Sequence, residues 1–229
     1  FRDNPEECGL LMDGRKPEDI DAVATSVLHP VYRQFTRNQA IRTISFWAYA
    51  LGLAAHGLIV TAVAFHITSI GEEMGKTTDQ AVKMFLYSSF LSIPTRFAVS
   101  YFVDNTRLRL KWMLALMAVT MGLYTFGLTM LDTLGGWLLT TVMFGITGGI
   151  WGVLGNVPMP RYFGRDHLGA ISGLMMSILV IASALGPAAF SYGRKYLGSY
   201  TNTSYIMLLL PIAVLALSFV TRNPQRKFE

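Results

Sequence analysis

The sequence predicts an all-α membrane protein of six transmembrane helices, and three observations carry that reading. The chain of 229 residues is 52% hydrophobic and only 14% charged, where an average soluble domain is about 25% charged. The shortage of charge is spread over most of the length, so it does not mark one anchor on a soluble domain. Six apolar runs, each near the ~20 residues that a bilayer requires, follow one another with short polar joins. The Lys and Arg residues fall almost entirely on alternate joins, the pattern of a positive-inside topology.

Residues 1–42 read as a polar segment ahead of the first span, a cytoplasmic loop carrying an amphipathic helix. Phe1 is not an initiator, the opening residues do not resemble a signal peptide, and Asn4-Pro5, Asp13-Gly14 and Lys16-Pro17 are turn signals. The segment is therefore expected to be a linker with something before it. Asp19 to Leu28 suits a short helix that His29-Pro30 stops. Val31 to Arg42 is amphipathic and basic, with Arg33, Arg37 and Arg42, and suits a helix lying on the membrane surface. An ordinary solvated linker is the alternative there.

Residues 43–229 hold the spans, expected at 43–70, 81–103, 110–131, 136–160, 168–193 and 203–221. The fourth contains GITGGIWGVLGNVPMP, in which Gly145, Gly149 and Gly152 recur at helical spacing. The fifth repeats the device with Gly169 and Gly173, then Gly186-Pro187. Small residues at this spacing let membrane helices approach closely. The reading is that these two spans pack on each other, either to slide or simply to pack tightly.

Of the 19 Lys and Arg residues, fourteen lie on the side that holds both termini: Arg2, Arg15, Lys16, Arg33, Arg37, Arg42, Arg107, Arg109, Lys111, Arg161, Arg165, Arg222, Arg226 and Lys227. The other side holds Lys76, Lys83, Arg194 and Lys195. Both termini are thus expected in the cytoplasm of a multi-pass protein of the plasma or bacterial inner membrane. The net charge of +5 reports this topology and not a nucleic-acid partner. The single cysteine, Cys8, excludes an intrachain disulfide, and the four histidines show no metal-ligand spacing, so no metal or cofactor is expected.

The remaining basic residue, Arg96, is inside a span. It lies eight residues before Asp104, roughly 12 Å inside the point where charge resumes. A guanidinium at such depth costs at least ~2.5 kcal/mol on insertion scales. Three readings remain open: a snorkelling side chain, a buried ion pair, or a cavity-lining guanidinium that holds a carboxylate by two parallel hydrogen bonds. His56 lines the cavity or relays a proton on one reading and bonds between helices on another. Asn156, Tyr87, Tyr49 and Tyr124 are further polar groups within spans. Asp104 at a helix C-terminus opposes the helix dipole and calls for a basic partner or a neighbouring helix N-terminus. With Arg107 and Arg161 it forms the candidate gate or structural lock. No metalloprotease motif, phosphate loop or complete serine-protease motif occurs, so an enzyme is not expected.

Several of these stretches resemble a known family. NPEECGLLMDG resembles the central loop, AIRTISFWAYALGLAAHGLIVTAVAFHI span seven, and IPTRFAVSYFVDNTR span eight of a major facilitator superfamily transporter of the monocarboxylate and oxalate/formate group. PRYFGRDHLGAISGLM and SALGPAAFSYG resemble its spans ten and eleven. The resemblance implies the C-terminal half of such a carrier, built of two three-helix inverted repeats. It implies that Arg96 binds substrate carboxylate and that Asp104 belongs to a gating loop. That loop's motif is partial, with Ser100 in place of its glycine, Asn105 in place of its arginine, and Arg107 as a substitute.

Two departures bear on substrate. The acid that proton-coupled members carry one turn before the arginine is Ser92 here, which leaves the coupling ion, proton or counter-anion, open. No Lys or Arg lies within 170–190, which favours one carboxylate over two. The resemblance thus implies alternating-access transport of a small monocarboxylate, with His56, Asn156 and Tyr87 as further candidate contacts. The expected partners are the lipid bilayer and an N-terminal six-helix half. A carrier of another solute, with Arg96 structural, and a transport-dead half acting as a membrane interaction protein are the alternatives.

Overall fold

A computed structural model of the protein describes residues 31–106 and 109–228. The readings of residues 1–30 and of Arg107 lie outside the described residues. The described chain is helical throughout: α1 (Arg37–Ala40), α2 (Ile44–Glu73), α3 (Thr78–Asn105), α4 (Leu110–Gly127, prolonged by a 3-10 turn at Leu128–Met130), α5 (Leu134–Leu154), α6 (Pro158–Phe163), α7 (Leu168–Leu197), α8 (Tyr200–Met207) and α9 (Leu209–Val220). A last 3-10 turn covers Pro224–Lys227.

Local chemistry sets the helix ends. Thr43, Thr77, Thr133 and Ser199 precede α2, α3, α5 and α8, and each side-chain oxygen accepts the N–H three residues on. Gly198, at φ 82° in the left-handed region, stops α7. Prolines make the interruptions. Pro158 and Pro160 have no N–H to offer Leu154 and Asn156, so the fourth span breaks between α5 and α6. Pro211 likewise leaves Met207 without its donor, and the sixth span parts into α8 and α9.

Among the described residues, five segments are long and apolar enough to cross a membrane: Ile44–Glu73, Leu110–Met130, Leu134–Phe163, Leu168–Leu197 and Tyr200–Lys227. The second span departs from the run expected of it, apolar but for Arg96. Its 28 residues suffice in length, but a polar stripe of Ser89, Ser92, Arg96 and Ser100 runs along one face at steps of three and four.

The helices pack in a pattern that shows the repeat. The two most extensive contacts are α2 with α7 and α3 with α5. Exchanging the first three spans for the last three (α2 for α5, α3 for α7, α4 for α8 and α9) turns one of these contacts into the other. The contact of α4 with α9 maps onto itself. Two three-helix inverted repeats have this packing. The core is centred on α2, which buries 17 of its residues, whereas α3 and α7 bury five each. Those two helices flank the bundle and leave the largest faces uncovered.

Small residues bring each pair together, though not the pair expected. A Cβ on Gly145 or Gly149 would meet Ser88 O and Leu91, or Thr95 and Ser92 O, closer than 3.0 Å, so these glycines of α5 receive α3. Gly186 of α7 receives α2 at Leu58 O and Thr61. Gly169 and Gly173 have nothing within 4 Å of an added Cβ. The expected pairing of the fourth span with the fifth is thus corrected: each packs on a helix of the other repeat, and Gly173 sits on an exposed face.

The amphipathic helix expected over 31–42 is also corrected. Only Arg37–Ala40 is helical. Residues 31–36 run extended because their backbone groups are claimed elsewhere. Phe35 N donates to Phe163 O at 2.8 Å, and the buried Gln225 side chain accepts from Tyr32 N and Arg33 N while donating to Arg33 O and Tyr162 O. Gln34 Oε1 accepts from Arg165 N at 2.8 Å. The segment is strapped to the end of the bundle where the chain enters and leaves, the proximal end; the opposite end is distal.

Pro187 lies inside α7 and deprives Ser183 O of its helical donor. The Thr61 hydroxyl of α2 supplies the missing hydrogen bond at 2.7 Å. One turn on, His66 Nε2 lies 3.0 Å from Pro187 O and its Nδ1 lies 3.1 Å from the Tyr200 hydroxyl. We expect Thr61→Val to cost about 1 kcal/mol, the worth of one buried hydrogen bond. In a Pro187→Ala background the restored N–H serves Ser183 O, and the same change should cost much less. Thermal unfolding of the four variants in detergent measures both; equal costs in the two backgrounds would contradict the assignment.

Candidate functional site

The polar stripe of α3 carries Arg96, and α5 provides its seat. The Arg96 side chain lies exposed against Gly152, close enough that a Cβ there would collide with Nη2, Cζ and Nε. Arg96 precedes Asp104 by eight residues, roughly 12 Å along α3. Gly149 meets Ser92 O and Thr95, and both helices run toward the proximal end, so Gly152, three residues further on, is level with Arg96; the guanidinium stays level with its own Cα and does not snorkel outward. Among the described residues Arg96 makes no ion pair and no hydrogen bond. A buried structural ion pair therefore has no acid here to complete it.

Asn156 lies in the turn between α5 and α6, exposed, with Nδ2 donating to Gly152 O at 3.0 Å. Arg96 and Asn156 are thus both exposed and both lie against Gly152. The structure sets the other two candidate contacts apart. His56 is buried within the bundle, its Nδ1 3.3 Å from the Tyr124 hydroxyl, its ring against Phe144 and Trp151. It is an interhelical histidine, one layer behind the surface that carries Gly152. Tyr87 is exposed but nine residues from Arg96, half a rotation round α3 and roughly 13 Å nearer the distal end. It stacks edge-on with Trp137 in a cleft also lined by Lys76, Gln80, Lys83 and Leu134.

Asp104 pairs with Arg161. Arg161 Nη2 donates to Asp104 Oδ1 at 2.7 Å and Nη1 donates to Val103 O at 3.0 Å. One guanidinium therefore neutralises an acid badly placed for the α3 dipole and caps a carbonyl of the last turn. This bridge ties the second span to the fourth at the proximal end. Its counterpart escaped the sequence reading. At the distal end Arg194 Nε lies 3.3 Å from Glu73 Oε2, while Glu73 Oε1 accepts from Tyr200 N at 2.7 Å. That bridge ties the first span to the fifth, the pair related to the other by exchange of the repeats, with acid and base swapped. Helix-end charges four spans apart in sequence give no linear signal of this; only the inverted repeat links them.

Two further features were not legible. Gly152 reads in sequence as one more packing glycine, yet it faces a charged side-chain tip. Trp151 Nε1, beside His56, is buried with no hydrogen-bond partner among the described residues. No group of three or more His, Cys, Asp or Glu among the described residues is arranged to hold a metal.

Asp104 is well exposed, at 63%, so its charge contributes little through the pair. Asp104→Asn should cost no more than about 1 kcal/mol. Arg161→Ala also strips Val103 O of its donor and should cost more, about 2 kcal/mol. Thermal unfolding of the two variants checks this order; the reverse order would show that Arg161 is held for the ion pair alone.

No curated protein matches the chain. A family model described as Major Facilitator Superfamily matches residues 9–187, well over half of the length. With a helical membrane bundle of two three-helix repeats already in place, that match is decisive: the chain belongs to the Major Facilitator Superfamily of membrane transporters.

Proposed function

We propose that the protein carries a small organic anion across the membrane as the C-terminal six-helix half of a carrier, with Arg96 holding the substrate carboxylate. The observation that supports this reading most is the guanidinium of Arg96: deep in the bundle, exposed, and without a counter-ion among the described residues. A charge kept at that depth without a protein partner suits a face that meets water and a mobile anion. One cation on that face suits one carboxylate, and the absence of Lys and Arg from 170–190 of α7 supports a monocarboxylate.

The remaining elements fit alternating access. The uncovered faces of α3 and α7, with Leu86, Phe90, Ile93 and Phe97 on one and Val180, Ile181 and Leu185 on the other, are offered to an N-terminal six-helix half. Substrate then sits between the halves near the midplane. The paired bridges Asp104–Arg161 and Glu73–Arg194 brace each end of this half so that it rocks as one body. The basic proximal end faces the cytoplasm.

Uptake of radiolabelled formate, acetate, lactate and oxalate into vesicles containing the full-length protein tests the reading. Arg96→Ala should abolish uptake of the transported anion. Arg96→Lys keeps the charge but loses the planar fork and should lower uptake by about tenfold or more. Unchanged uptake in both variants would remove the carboxylate role.

A further inference from the structure

Gly152 differs from the other glycines of its helix in what it faces. Gly145 meets the Ser88 carbonyl and Leu91 Cβ, and Gly149 meets Thr95 Cβ and the Ser92 carbonyl, groups fixed to the α3 backbone. The three atoms nearest an added Cβ on Gly152 are all from one guanidinium: Nη2, Cζ and Nε of Arg96. Nη1 is not among them, so the Nε–Nη2 edge is turned to the glycine and Nη1 is turned from it. The floor of this notch is itself tied down, since Gly152 O accepts the Asn156 amide at 3.0 Å. A methyl group at Gly145 or Gly149 would force two backbones apart. The same group at Gly152 would first meet the far end of a flexible side chain, which swings aside at small cost. The nearest claim on glycine at this position is the location of the guanidinium.

From this geometry we infer that Gly152 is a positioning residue for anion transport: its bare backbone is the notch that sets where the Arg96 guanidinium stands on the open face. The inference rests on the role proposed above for Arg96. It separates Gly152 from the helix-packing glycines by function as well as by contact. Any side chain at 152 displaces the guanidinium from this notch, and a carboxylate arriving there meets a misplaced fork.

The experiment uses the full-length protein in lipid vesicles, with Gly152→Ala, Arg96→Ala and the double variant, and the same four radiolabelled carboxylates. Gly152→Ala should melt within ~2 °C of the parent, because a flexible tip gives way first. Its KM for the transported anion should rise about tenfold while the maximal rate changes by less than about twofold, as expected when a ligand-binding group is misplaced but the rest of the cycle is intact. The double variant should behave as Arg96→Ala alone. A readout without substrate runs alongside: the rate at which phenylglyoxal modifies Arg96, followed by peptide mass mapping, should change by about threefold or more in Gly152→Ala.

Unchanged KM together with unchanged modification would overturn the inference. So would a loss of stability or folding of equal size with and without Arg96, which marks an ordinary packing glycine. A folding defect that Arg96→Ala relieves supports it. If Arg96→Ala leaves uptake intact, the proposed function fails, and the modification rate still decides whether Gly152 seats the guanidinium.

Discussion

A guanidinium placed two turns inside a helical bundle must be given an acid, a set of carbonyls, or water. The protein gives Arg96 none of the first two among its described residues, and much of the architecture follows from that constraint. α3 cannot be the apolar helix that its position in a membrane otherwise asks for, because Arg96 needs a wet face; Ser89, Ser92 and Ser100 extend that face along the helix. α5 offers bare backbone at Gly152 opposite the guanidinium, and the two helices are drawn together by Gly145 and Gly149 a turn or two away. The close approach that those glycines permit is what lays the arginine against Gly152 of α5.

The inverted repeat explains why so few devices serve so many helices. Each repeat lends its first helix to the second helix of the other, through small residues, and each such pair ends in an ion pair at its own end of the bundle. In one the acid Asp104 is on the second span and the base on the fourth; in the other the base Arg194 is on the fifth and the acid on the first. Each flanking helix also carries an internal proline, Pro94 in α3 and Pro187 in α7. The carbonyl that Pro187 orphans is met by Thr61, so the missing backbone hydrogen bond is made good within the α2–α7 contact. Packing, internal proline and terminal bridge thus recur together on each side.

Much of this was legible in the sequence, because spans are announced by length, hydropathy and caps, all local properties. Thr43, Thr77, Thr133 and Ser199 mark starts that no tertiary contact needs to enforce. Arg96 and Asp104 stood out for the same reason: a charge in the wrong place needs no partner to be noticed. What failed was anything that depends on which helices meet. The glycine spacing of α5 was seen, but its partner is α3 and not α7. His56 shows a polar ring at mid-span, yet only the positions of α4 and α5 decide that it turns inward to Tyr124 and not outward to a cavity. Residues 31–36 have a helical pattern of charge, but Gln225, nearly two hundred residues away, holds their amides in an extended run.

The claim on which the rest depends is that Arg96 stands on a water-filled face of the bundle within the membrane, where an anion reaches it. Cysteine accessibility tests it most directly. In a Cys8→Ser background, Ser100→Cys on α3 and Asn156→Cys in the turn after α5 stand one turn to the proximal side of Arg96 and its seat Gly152, while Leu123→Cys reports the apolar outer face of α4. The account predicts that a membrane-impermeant methanethiosulfonate labels the first two in vesicles containing the full-length protein, that the transported carboxylate slows that labelling, and that Leu123→Cys stays unlabelled. If Ser100→Cys and Asn156→Cys resist labelling as Leu123→Cys does, the face is dry, and Arg96 is not an anion site.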